Sequence, residues 1–149
     1  MQQNRTTWTV VFAVAAFAAG LGAARFSTPA YAADNMKVQI INLLDMKPDD
    51  ISKPSATDSR SRTLATADGA TFGIQIGATA RHYHAEANEL QYVVEGTGSE
   101  WLGEKIVQLR PGDLLIIPKG TPHGGLTPGV KVFNMKTPPQ KAGDSIPVK

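Results

Sequence analysis

The 149-residue chain has no cysteine and only three histidines. The missing thiols exclude disulfide staples, thiolate catalysis and any zinc site built on cysteine. With so few imidazoles, the position of each one carries weight. A strong charge of either sign is also missing. Residues 1–32 hold Arg5 and Arg25 and no acid, so the remainder has thirteen bases against thirteen acids. A neutral chain without a basic stripe gives no footprint for a nucleic-acid partner. After residue 32, no stretch has the length and periodicity of a long amphipathic helix.

What is present begins with MQQNRTTWTVVFAVAAFAAGLGAARFSTPAYAADN. A short polar start with one arginine precedes an apolar run, and Ala30-Tyr31-Ala32 supplies a small-x-small cleavage site. Residues 1–32 therefore read as a bacterial secretory signal peptide cut after Ala32, with a periplasmic or secreted product. The alternative is an uncleaved membrane anchor. It is disfavoured because the run is short and rich in alanine and glycine, so no stable membrane insertion is expected after cleavage.

Residues 33–62 read as an arm followed by a polar loop. The arm, 36–46, is apolar enough to add to a neighbour's sheet edge, which makes a homodimer an open expectation. The loop, 47–62, is polar and carries prolines. Short strands then follow quickly, expected near 63–67, 71–77, 81–85, 90–95, 99–102, 106–110, 114–118 and 130–135. Gly103-Glu104 suits a tight hairpin, and Pro111-Gly112 suits a type II turn. The tail, 137–149, reads as irregular. Many short strands with frequent glycine and few helices imply an all-β sandwich or barrel, placed at 63–136.

Within this pattern, ARHYHAEANELQYVVEG holds two of the three histidines. On a strand His82 and His84 face the same way, with Arg81 and Tyr83 on the other face. A hairpin would return Glu89 beside them, and His123 follows a later strand and its proline-glycine turn. Three imidazoles and a carboxylate make a compact donor set for one divalent transition metal. Each residue alone is ordinary, but every histidine in the chain falls at a ligand-like place.

At this point the chain resembles the cupin superfamily. Gly77, His82, His84, Glu89 and Gly96 match the first family motif, with one residue fewer than usual before His82. Gly112, Pro118, Gly120 and His123 match the second, with Thr127 where an asparagine often stands. The resemblance spans about Phe72 to Met135. It implies a cupin-type double-stranded β-helix, a jelly-roll barrel, with a metal at one mouth bound by His82, His84, Glu89 and His123.

Manganese, iron, zinc, nickel and copper all suit such donors. Without a twin arginine near Arg5, export is expected in the unfolded state, with loading outside the cytoplasm, where zinc, manganese and copper compete with iron. If Glu89 faces the metal, strand alternation turns Gln91 and Val93 the same way and leaves Tyr92 and Val94 outside. Gln91 is then a candidate to orient a substrate or support the site. Glu86, Trp101, Phe133 and Met135 are candidates to shape the mouth or core. Two functions remain open. One is a metal-dependent enzyme acting on a small oxygen-rich molecule, in the dioxygenase, decarboxylase, isomerase or lyase classes. The other is a non-catalytic module that binds a small ligand or metal.

Overall fold

The computed structural model describes residues 36–55, 58–67 and 69–148. The expected leader, residues 1–32, lies outside them. No described helix is long and apolar enough to cross a membrane.

The described chain contains one short helix, α1 (Pro48–Ile51), and ten strands. These are β1 (Arg60–Ala67), β2 (Ala70–Ile76), β3 (His82–His84), β4 (Asn88–Glu95), β5 (Gly98–Leu102), β6 (Lys105–Leu109), β7 (Leu114–Ile117), β8 (His123–Gly125), β9 (Lys131–Thr137) and β10 (Ser145–Pro147). They form two five-stranded antiparallel sheets, ordered β1-β2-β9-β4-β7 and β10-β3-β8-β5-β6. This is the expected double-stranded β-helix.

Strand alternation divides each strand between an inner and an outer face. Registered pairs of β4 and β9 stack three inner layers: Val93 with Val132, Gln91 with Asn134, and Glu89 with Lys136. The base is apolar, where Val93, Leu109, Leu115, Ile117, Val130 and Val132 form one buried cluster. Burying each such side chain contributes about 1.5–3 kcal/mol. The opposite end is polar, and it is there that the three histidines gather. A second apolar cluster lies outside the barrel, where Met46 and Ile51 cover Ile74. Arm and helix thus seal part of the outer face of the first sheet.

The turns hold these layers in register. Gly96 has φ +84, and a Cβ there would stand 2.3 Å from the Gly129 carbonyl, so the close approach of two loops requires glycine. Gly120, φ +79, closes the turn in which Thr121 N–H donates to the Pro118 carbonyl at 3.1 Å. Its own N–H donates to the His84 carbonyl at 2.7 Å, tying the second histidine segment to the first.

Three elements differ from the sequence expectation. The polar loop contains α1, started by Pro48 with Asp49 and Asp50 in its first turn. His123 lies on a strand of its own, β8, between β3 and β5. The tail is not irregular throughout, because residues 145–147 pair with β3 as β10. Backbone pairing with an exposed strand edge decides that outcome, and it leaves little trace in side-chain periodicity.

Candidate metal centre

His82 and His84 occupy alternate positions of β3, and His123 lies directly opposite His82 across the β3–β8 pair. The three ring nitrogens therefore converge, all within 4.8 Å of one another. The rings stand 4.5–5.4 Å apart between centroids. Glu89 enters from the facing sheet. Its Oε2 lies 2.9 Å from Nε2 of His84 and 3.2 Å from Nε2 of His123, so one carboxylate joins two of the three imidazoles. All four candidate ligands come together.

The donor set fits a metal, and the far side of the rings shows why. Nδ1 of His82 lies 2.8 Å from the Ala80 carbonyl, and Nδ1 of His123 lies 2.9 Å from the Thr121 carbonyl. A carbonyl only accepts, so each Nδ1 carries a proton and donates it, and Nε2 is the atom left to coordinate. Both rings are locked in orientation by their own backbone two residues upstream.

Electrostatics at the site are mixed. Burial works to raise the Glu89 carboxyl, but hydrogen bonds from His123 and His84 and the charge of Lys136 overcome it and hold Glu89 well below the usual carboxylate range. Burial works to lower His123, yet its bonds to Glu89 and to the Thr121 carbonyl raise it. His82 is lowered, chiefly by burial and further by the neighbouring imidazoles. Lys136 Nζ stands 3.6 Å from Glu89 Oε1 and is the cation paired with that carboxylate on the inner wall. A cation bound by these residues would exchange the Nε2 hydrogen bonds for coordination and release protons.

Gln91 faces inward with Glu89, as alternation requires, and its Nε2 donates to Glu89 Oε1 at 3.2 Å. Tyr92 is exposed on the other face. Trp101 lies outside the barrel, with the Arg81 guanidinium 4.8 Å over its ring. Glu86 is exposed, and its carboxylate pairs with Lys141 at 2.6 Å. Phe133 stacks on Phe72 at 6.4 Å between centroids. Thr127 takes a structural place, its hydroxyl accepting from the Ser99 N–H at 2.9 Å.

Two acids at the site escape the sequence reading. Glu100 points inward from β5, is 3% exposed, and has one carboxylate oxygen with no hydrogen-bond partner among the described residues. Burial, aided by the charge of Glu89, pushes it up to about 7. Its signal was its place at alternate spacing with Gly98 and Leu102, obscured by the neighbouring tryptophan. Asp144, just before β10, reaches His84 from the tail, and no sequence motif marks it.

A cavity of about 360 Å³ opens beside His82 and His84. Its wall includes Ser61, Thr63, Thr71, Gln75, Asn134 and Lys136. Hydroxyls, amides and one amine can bind an oxygen-bearing molecule there, and the volume falls within the usual range for small-molecule sites.

The cupin-domain family model matches residues 70–135, a span that contains all four candidate ligands. No curated protein gives a significant match. Among solved structures, a variant of Streptomyces Pac13 with uridine aligns at 16% identity and a TM-score of 0.59, covering 69% of this chain and 88% of its own. KdgF from Halomonas sp. aligns at 23% identity and a TM-score of 0.51, covering 55% of this chain and 82% of its own. An uncharacterized Klebsiella pneumoniae protein with a double-stranded β-helix domain aligns at 17% identity and a TM-score of 0.60, covering 76% of this chain and all of its own. Such identities establish a shared fold and leave the reaction to be argued from the site. With the two-sheet barrel, both histidine segments in place and the family match across them, residues 70–135 form a cupin domain.

Proposed function

We propose that this chain is an exported, metal-dependent enzyme acting on a small oxygen-rich organic molecule, with one divalent transition metal held by His82, His84, Glu89 and His123. The carrying observation is the polar cavity beside two of the imidazoles, since a metal that only braced the fold would need no such opening. When bound, the metal supplies a Lewis acid or redox centre for a substrate oxygen or O2. The hydroxyl and amide wall orients the substrate, Lys136 offers it a cation, and Gln91 steadies Glu89. Pac13, a nucleoside dehydratase that has been solved with uridine, shows the same barrel serving a small hydroxyl-bearing molecule.

Protein recovered from the periplasm and begun at Ala33 by intact mass is expected to carry close to one equivalent of manganese, iron, zinc, nickel or copper by elemental analysis. With Co(II) in the site, azide or a small hydroxy acid should change the electronic spectrum, and Gln91→Ala should weaken acid binding more than metal retention. O2 uptake, decarboxylation, isomerisation and dehydration assays on small acids, enols and sugars then separate the reaction classes. A tetrahedral spectrum unmoved by every small ligand would overturn the enzyme reading in favour of the non-catalytic module.

The arm and the uncovered part of the first sheet also support a homodimer. Val38 and Ile40 of the arm are fully exposed, and Tyr92, Leu114 and Ile116 present an exposed apolar face on adjacent strands β4 and β7. Both surfaces lose water if each arm crosses its partner's sheet. Light scattering on the mature protein should give a dimer mass, and Ile116→Lys should shift it to monomer; a wild-type monomer at every concentration rejects the arrangement.

A further inference from the structure

The tail holds one of the three imidazoles. β10 runs antiparallel to β3, with Ser145 opposite His84, Ile146 opposite Tyr83 and Pro147 opposite His82. On its other side β3 is registered to β8 by one pair, His82 with His123. β10 is thus the longer lateral support of the strand that carries two histidines. Its approach is anchored at several points. Ala85 N–H donates to the Asp144 carbonyl at 3.2 Å, and Val148 N–H donates to the Arg81 carbonyl at 3.0 Å. Glu86 N–H donates to Asp144 Oδ1 at 2.7 Å.

These bonds place the other Asp144 oxygen against His84. Oδ2 lies 3.2 Å from Nδ1 of His84, and both side chains are 2% exposed. The approach is out of line for a full hydrogen bond, and neither atom has another hydrogen-bond partner among the described residues. A buried polar atom left unsatisfied costs about 1–3 kcal/mol, so two such atoms facing each other favour a proton between them. His82 and His123 have their Nδ1 atoms fixed by backbone carbonyls. His84 has no such carbonyl, and a carboxylate from the far end of the chain stands in its place.

We propose that Asp144 is the positioning residue of His84, holding a proton on Nδ1 and so directing Nε2 toward the metal, and that the C-terminal strap is thereby part of the metal centre. The inference rests on the metal reading of the three histidines. A carboxylate behind a ligating imidazole fixes its orientation and raises its basicity, and losing one typically costs 10–100-fold in metal affinity.

The test pairs metal competition with nitrogen NMR of the imidazoles in the full mature chain. Zn(II) affinity, measured against a chromogenic chelator, is expected to fall about 10–100-fold in Asp144→Ala and less in Asp144→Asn, which keeps an acceptor oxygen. In Zn(II)-loaded wild type, Nδ1 of His84 should carry a proton, and Asp144→Ala should change that signal while leaving Nδ1 of His82 and His123 protonated. Wild-type affinity in both variants overturns the proposal. So does a loaded wild type in which His84 coordinates through Nδ1, a result that does not depend on either variant folding. Failure of the wild type to bind metal at all would instead defeat the metal reading, and this proposal with it.

Discussion

Replacing His84 with alanine is expected to abolish tight metal binding, with a loss well beyond the ~100-fold upper range for a supporting residue. His82→Ala and His123→Ala should do the same, because each removes one of three convergent nitrogens. Tyr83→Phe, between two of them, should stay within about twofold of wild type, the range of a substitution away from any special contact. Tyr83 belongs to the outer face, opposite Ile146 of β10. Equilibrium competition against a chelator, with circular dichroism to confirm folding, reads the contrast directly. If Tyr83→Phe lost metal as completely as His84→Ala, the alternation that aims the two imidazoles inward would be wrong.

The second large effect concerns Glu100 and pH. Its carboxyl is raised from the ordinary 4.5 to about 7, mainly by burial. The folded protein therefore keeps this proton where the unfolded chain has released it. The associated stability is full below about pH 4.5 and is lost as pH rises to about 7. At about 1.4 kcal/mol per pKa unit, the loss amounts to roughly 3 kcal/mol. Glu100→Gln keeps the shape and removes the charge. Urea denaturation of EDTA-treated protein should show wild type losing about 2–3 kcal/mol more than the variant between pH 5 and pH 8. Parallel pH profiles for the two proteins would show that Glu100 is solvated and ionised in the fold.

Much of the site was legible because strands impose a period of two. His82, His84, Glu89, Gln91 and Val93 all turned inward as alternation demands, and the hairpin and turn residues at 103–104 and 111–112 fell between the expected strands. The same rule applied to β5 places Glu100 inward with Leu102 and leaves Trp101 outside. Composition argued the other way there, since an aromatic is ordinarily the residue to bury and a glutamate the one to expose. The barrel overrides that preference by giving Trp101 the Arg81 guanidinium to pack against and by closing Glu100 into the interior.

The sequence by itself determined the all-β class, and it marked the histidines and the glutamate as candidate donors and the face on which each lies, because these follow from local spacing and the pleat of a strand. Only the tertiary structure decided which distant segments complete the site. Asp144 meets His84, Lys136 meets Glu89, and β10 borders β3 through pairings between residues far apart in the chain. Such contacts are fixed by how the two sheets close on each other. The energy that selects them lies in buried hydrogen bonds and packed interior surface, which no local pattern of residues encodes.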